Sequence, residues 1–290
     1  MNCVLIPSYN RPEILNMTIP TWLKAHDIAK IIVIAESSSA DGIEKYRKAL
    51  SKHGNKVIHL LSRGRLGSVN ARNILLKLAT ENNCSHALMA DDDYLLPRRH
   101  FTKIMLSYIE KNPNVGAVGG RVIPIRRRAI DPDFFLNTPI PIADAVTKIT
   151  GYIFLDVRNG PRYAEYLTHF FMIRGELLDR VRYSRVFETP TAFREESDLH
   201  MQIKKLGYKL ILIPQVYVYH LALEEGGNRP KMSMEKRMYW KSRNHTKFIT
   251  KWVKSPMIKT WYMLNTAVIL TLYRPQYIKT VLKGMKDGLT

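Results

Sequence analysis

The chain has 290 residues, 46% of them hydrophobic and 24% charged, with 45 Lys and Arg against 25 Asp and Glu for a net charge of +20. This balance excludes a disordered chain, and no fixed period marks a repeat protein. At roughly 150 residues per domain the length allows about two domains, or one large α/β unit with an appendage. The charge points to an anionic partner: nucleic acid, phosphorylated small molecules or an anionic membrane. Cys3 and Cys84 are the two cysteines, each in an apolar run, and read as reduced core thiols in a reducing compartment. The N-terminus reaches Pro7 without a basic leader or a long apolar stretch, so no secretory signal is expected.

The first half alternates strand-like and helix-like segments. Cys3–Ile6 reads as a strand, and Pro12 opens a helix with Ile14, Leu15, Ile19, Trp22 and Leu23 on one side. Ile31–Ala35 is a second strand, Gly42–His53 a helix and Val57–Leu61 a third strand. Gly67–Thr80 is a helix, Ala87–Ala90 a fourth strand, Pro97–Glu110 a helix and Val115–Val118 a strand. Short apolar runs separated by helices predict βαβ units: an α/β fold with a mainly parallel sheet and helices on both faces. Chemistry in such sheets gathers in the loops at the carboxyl ends of the strands. Residues 121–165, with Arg126–Arg128 and five prolines, read as irregular. Phe170–Ile173 is then a strand, Gly175–Val181 a short helix, Glu195–Leu206 a helix, and Lys209–Ile213 and Val216–His220 two strands. From 224 to 290 the chain holds 14 basic and 4 acidic residues, half of the excess charge in under a quarter of the length. That segment is a distinct functional piece.

Asp91, Asp92 and Asp93 directly follow the fourth strand. Three adjacent carboxylates repel one another unless a cation or hydrogen-bond donors compensate. Mg²⁺ and Mn²⁺ take oxygen ligands and share them with substrate phosphates, so the triplet is a candidate metal site; a solvated acidic turn is the plain reading. Glu195, Glu196 and Asp198 crowd a first helical turn, which the helix dipole favours. Three acids in four positions exceed what capping needs, and one of them could serve as a general base. His220 ends a strand, as the Asp triplet does, and could reach the same metal. Arg63, Arg65 and Arg72 surround Gly67 at a helix start, a pattern that suits a phosphate and equally a solvated basic loop.

Taken in order, these stretches resemble glycosyltransferase family 2, with the GT-A fold. Val4-Leu5-Ile6-Pro7-Ser8-Tyr9-Asn10-Arg11 is similar to the family's opening strand and nucleotide turn, and Ile32–Asp41 to its second strand and acidic loop. Gly67-Ser68-Val69-Asn70-Ala71-Arg72-Asn73 resembles the Gly-x-x-x-Ala-Arg-Asn helix start. Met89–Asp93 resembles the Asp-x-Asp metal motif, and Arg194–Leu199 with Leu206-Gly207-Tyr208 and Val218-Tyr219-His220 the acidic base motif and its histidine. The resemblance implies a catalytic domain over 1–222, its nucleotide half at 1–120 and its acceptor half at 121–222. Residues 223–290 would be a basic, aromatic-rich helical extension. It implies that Pro7, Tyr9, Arg11, Glu36, Arg72, Asp91 and Asp92 bind the nucleotide sugar, a UDP- or GDP-sugar. Asp93 and His220 would hold Mn²⁺ or Mg²⁺, and Glu196 would be the base, with Glu195 its rival. The reaction implied is inverting transfer of one sugar to a hydroxyl or phosphate, and no Gln-x-x-Arg-Trp motif of processive synthases is present.

Residues 260–273 are the most apolar stretch, too short at 14 residues for the ~20 that span a bilayer. Lysines and arginines flank it, and Trp252, Trp261, Tyr262, Tyr273 and Tyr277 are amphipathic rings suited to the headgroup level. This predicts helices in the membrane interface, a lipid-linked or glycan acceptor, and a protein peripheral to the inner face of the cell membrane on the cytoplasmic side. Packing on the sheet or a dimer contact is the plainer alternative. A nucleic-acid-binding protein and a nucleotidyltransferase of related fold are the rival functions; the acidic clusters argue against nucleic acid.

Overall fold

The structure is a computed structural model that describes residues 1–125, 143–154, 160–191, 193–221 and 232–290. Arg126–Arg128 and the expected domain boundary at 222/223 lie outside these residues. The main elements are β1 (Asn2–Tyr9), α1 (Pro12–Leu23), β2 (Lys30–Ser37), α2 (Ala40–Ser51), β3 (Val57–Arg63) and α3 (Ser68–Glu81). There follow β4 (His86–Met89), β5 (Tyr94–Leu95), α4 (Phe101–Lys111), β6 (Val115–Pro124), α5 (Ala143–Thr150), β7 (Arg162–Tyr163) and β8 (Phe171–Arg174). The chain ends with α6 (Glu195–Lys205), β9 (Lys209–His220), α7 (Met234–Trp252), α8 (Pro256–Tyr273) and α9 (Ile278–Leu289).

The strands form one sheet in the order β3-β2-β1-β4-β8-β6-β9-β5, with β7 also on β9. β1 to β4 are mutually parallel, joined by helical crossovers, and β6 is parallel to β9. β8 inserts antiparallel between β4 and β6; the stretch 121–165, expected to be irregular, holds among its described residues the end of β6, helix α5 and strand β7. Alternation along β1 serves two cores. Val4 and Ile6 pack with Leu15, Ile19 and Trp22 of α1, while Cys3 and Leu5 pack with Val69, Leu75 and Leu76 of α3. Both faces of β1 are buried, which is why it reads as a continuous apolar run.

Three local expectations are corrected. Cys3 and Cys84 are joined in a disulfide rather than kept as free thiols, their Cα atoms 5.9 Å apart. The reason is register: Cys3 lies opposite Ala87, so the chain entering β4 brings Cys84 to the start of β1. Gly175–Leu177 is a single 3₁₀ turn, not a helix to Val181. The two strands expected at 209–220 are one strand, β9. Pairing to β6 jumps from Gly119–Leu212 to Arg121–Tyr217, and this irregularity absorbs Pro214 and Gln215. Gly120 permits it, since a Cβ there would come within 2.6 Å of the Val216 carbonyl oxygen.

Candidate active site

The short β5 explains how the ends of two distant strands meet. Tyr94 pairs with His220, and the Leu221 amide donates to the Asp93 carbonyl at 3.0 Å. His220 Nε2 is thereby set 3.3 Å from Asp93 Oδ2, and its ring stands edge-on to Tyr94. Arg11 Nη1 reaches the same Asp93 oxygen at 2.9 Å and Asp92 Oδ1 at 3.3 Å. Asp92 also accepts from Ser8 Oγ at 2.7 Å. Burial, and then neighbouring Asp93, push the Asp92 carboxyl up to about 7, against the lowering effect of Arg11 and Ser8. A carboxylate beside an imidazole is an oxygen–nitrogen donor set that fits Mn²⁺ or Mg²⁺, with substrate phosphate and water completing the shell. Among the described residues no group of three or more His, Cys, Asp and Glu forms a metal cage.

A second cluster lies one strand end away. Arg72, in the first turns of α3, gives Nη2 to Asp91 Oδ1 at 2.7 Å. Its Nη1 serves Glu195 Oε1 at 2.8 Å and Glu196 Oε1 at 2.6 Å. Burial alone would lower the guanidinium; Asp91, Glu195 and Glu196 override it and hold Arg72 well above its ordinary range. Ser68 Oγ also donates to Glu195, at 3.0 Å, and His169 Nδ1 bonds Glu196 Oε1. One guanidinium thus ties the expected nucleotide acid to the expected base pair.

The other expected nucleotide residues occupy varied settings. Pro7 is buried within β1, opposite Ile34. Tyr9 is partly exposed, with the Arg65 guanidinium 5.7 Å over its ring. Glu36 is fully buried and accepts from the Leu66 amide through Oε2; its Oε1 has no hydrogen-bond partner among the described residues. Burial raises its carboxyl. The phosphate reading of the Gly67 loop meets a competitor, because Glu188 already sits at the α3 N-terminus. Its Oε2 accepts from the Val69 amide at 2.6 Å, and a Cβ on Gly67 would lie 2.8 Å from its carboxyl carbon. The dipole and free amides that would attract phosphate attract this carboxylate instead.

Sequence reasoning missed His169, Ser68 and Glu188. Ser68 lies inside a quoted motif, and its hydroxyl beside Arg72 was the available signal. His169 stands just before an apolar strand, as the Asp triplet stands just after one. Only the antiparallel entry of β8 sets it beside the acids, and that is not written in local periodicity.

The sheet, its acidic strand ends and the helices on both faces define the GT-A fold of nucleotide-sugar transferases. The family model described as Glycosyl transferase family 2 matches residues 3–180. The chain belongs to that family and is a glycosyltransferase. No curated protein sequence matches it. Among solved structures it is similar to the mannosyltransferase PcManGT from Pyrobaculum calidifontis in complex with GDP-Man and Mn²⁺. Identity is 17%, 97% of this chain and 73% of the other are covered, and the TM-score is 0.60. It is also similar to S. aureus TarS 1–349 in complex with UDP-GlcNAc, at 13% identity, 100% and 89% coverage and a TM-score of 0.60.

Proposed function

We propose that the protein transfers one sugar from a GDP- or UDP-sugar to the hydroxyl or phosphate of a membrane lipid or glycolipid, with inversion at the anomeric carbon. The observation that carries this is the Arg72 bridge from Asp91 to Glu195 and Glu196, which sets nucleotide-side and acceptor-side acids on one buried cation. Asp91 and Arg72 hold the nucleotide. Glu196 supplies the basicity that draws the proton from the acceptor oxygen, and Glu195, held by Ser68 and Arg72, fixes the guanidinium. Attack opposite the departing diphosphate inverts the carbon without a covalent enzyme intermediate. Asp93 and His220 would hold Mn²⁺ or Mg²⁺, which when bound neutralises charge on the leaving diphosphate. The GDP-Man and Mn²⁺ bound by one structural neighbour and the UDP-GlcNAc bound by another support a nucleotide-sugar donor.

The lipid acceptor and peripheral membrane placement rest on the exposed face of α8. Met257, Trp261, Leu264, Val268 and Leu272 are exposed and recur every three or four residues. No helix among the described residues is long and apolar enough to cross a membrane. Thermal-shift titration of the full chain with GDP, UDP, GDP-mannose and UDP-GlcNAc, each with Mn²⁺ or Mg²⁺, tests the donor reading. A raised Tm with a nucleotide sugar and release of nucleoside diphosphate are expected. Pyrophosphate release from a nucleoside triphosphate would favour the nucleotidyltransferase reading. Tight, steeply salt-dependent DNA or RNA binding without nucleotide-sugar binding would overturn both.

A further inference from the structure

His169 lies two residues before β8, which runs antiparallel to β4 with Phe171 opposite Met89. Extending that register sets His169 level with Asp91. Its Nδ1 bonds Oε1 of Glu196, the oxygen that also takes Arg72 Nη1. Exposure divides the pair: the Glu196 side chain is 8% exposed and that of His169 is 36%. The nearly buried carboxylate is poorly placed to meet an acceptor, and the imidazole in front of it is open. An ionised carboxylate can only accept, so it fixes the proton on Nδ1. Nε2 is then the lone-pair nitrogen, and no described residue hydrogen-bonds it.

We propose that His169 Nε2 is the atom that receives the acceptor's proton, with Glu196 acting through it by orienting the ring and balancing the imidazolium. This deepens the transferase reading and rests on it. In the step the bond from acceptor oxygen to anomeric carbon forms. The bond from that carbon to the phosphate oxygen breaks, and its electron pair leaves on the nucleotide. The acceptor proton moves to Nε2, and the imidazolium returns it to solvent after product leaves. Around the dyad stand Arg72 of α3, Asp91 beyond β4, and Glu195, His200 and Lys204 of α6. Three carboxylates facing one arginine leave the cluster able to stabilise a transient cation.

The test uses the full-length protein with Mn²⁺ and GDP-mannose or UDP-GlcNAc, reading release of nucleoside diphosphate. His169→Asn keeps an N–H toward Glu196 but cannot accept a proton, and His169→Ala leaves room for added imidazole. Both should lose ~10²–10⁴ in kcat with nucleotide affinity retained. Imidazole should restore His169→Ala, more so as its free-base fraction rises. Wild-type kcat in His169→Asn would reduce the histidine to a structural role. A change in KM alone would make it a donor contact, and absence of rescue would equally overturn the proposal. An independent readout is the ¹⁵N signature of the His169 ring in the resting protein. Protonation at Nδ1 is expected, and protonation at Nε2 would exclude the dyad whichever donor the enzyme uses. Failure of the wild-type protein to bind or turn over either donor, with the Nδ1–H tautomer present, would instead strike the donor assignment.

Discussion

Arg72 shows how much of the site hangs on a single side chain. It is 7% exposed and meets three carboxylates from two separate stretches of chain, so its loss leaves buried acids uncompensated. Removing one partner of a buried ion pair costs about 3–5 kcal/mol. Arg72→Met should lower urea-unfolding stability by that order and abolish nucleotide binding; a variant as stable as wild type would mean water already reaches these acids. Beneath them, His200 is fully buried against the Phe171 ring, and neither nitrogen has a hydrogen-bond partner among the described residues. Burial, aided by His169 and Lys204 and opposed by Glu196, lowers it to about 3 from an ordinary 6.5. Below 6.5 the unfolded chain therefore takes up this proton while the folded chain does not. Its contribution is complete above that pH and is lost by about 1.4 kcal/mol per pH unit on descending toward about 3. His86 and His245 are lowered by burial too and act in the same direction. His200→Leu should flatten the acid limb of a stability–pH curve, and an unchanged limb would place the acid sensitivity elsewhere.

At the scale of elements, α7 is the piece whose role the sequence concealed. Its basic composition reads as a solvated or membrane-facing helix, yet it packs on α6 through buried polar groups. Trp252 Nε1 donates to Asp198 at 2.8 Å, and Lys251 reaches the same carboxylate oxygen at 2.6 Å. Arg194, held in the left-handed region (φ 74°) just before Glu195, donates Nε to His245 at 2.9 Å and lies 4.4 Å over the Phe248 ring. Burial lowers this guanidinium to about 10. Helix α7 thus steadies the residue that aims both candidate base glutamates. Helix α9 in turn lies on α7 by close backbone approach at Gly284 and Gly288. A Cβ on these would meet the Tyr239 and Arg243 carbonyl oxygens at 2.5 and 2.6 Å. Backbone cannot yield as a side chain can, so Gly288→Ala should destabilise by about 1–3 kcal/mol despite alanine's better helix propensity. A rise in Tm would show the helices free to separate. What was legible follows from this contrast. The β1–β4 helical crossovers, the acid triplet and the α6 acids are local patterns of period and position. The Glu188 cap on α3, the His169 contact and the α7 seam join residues roughly 30 to 120 positions apart, and the reversal of β8 that makes one of them has no local signature.

Over the whole molecule, charge and apolar surface gather toward the C-terminal helices. The aromatic rings expected at a membrane level divide there. Trp252 and Tyr262 turn inward, Tyr262 donating to the Lys148 carbonyl at 2.6 Å, whereas Trp261 and Tyr273 are more than half exposed. Exposed Leu264, Val268 and Leu272 extend the outward face along α8, and Ile278, Leu282 and Leu289 along α9. Lys254, Lys259, Arg274, Lys279, Lys283 and Lys286 lie in or next to these two helices in the sequence. Exposed apolar side chains on helices this rich in Lys and Arg are the basis of the proposed contact with an anionic lipid surface, where each nearby cation adds roughly 1 kcal/mol. Cutting the chain before α7 would not test this, because Asp198 and Arg194 would lose buried partners and α6 would change together with the surface under test. Surface substitutions separate the two. Wild-type protein should float with anionic vesicles, less so at high salt. Trp261→Ser, Leu264→Ser and Leu272→Ser combined should cut flotation at least about tenfold, since each buried leucine is worth about 1.5–3 kcal/mol. Nucleotide binding should stay as in wild type, because these side chains touch neither α6 nor the strand ends, and thermal unfolding should fall by no more than the one hydrogen bond that Trp261 Nε1 donates to the Ile149 carbonyl at 2.7 Å. Undiminished flotation of the triple variant would move the lipid contact off α8 and return the acceptor to a soluble glycan.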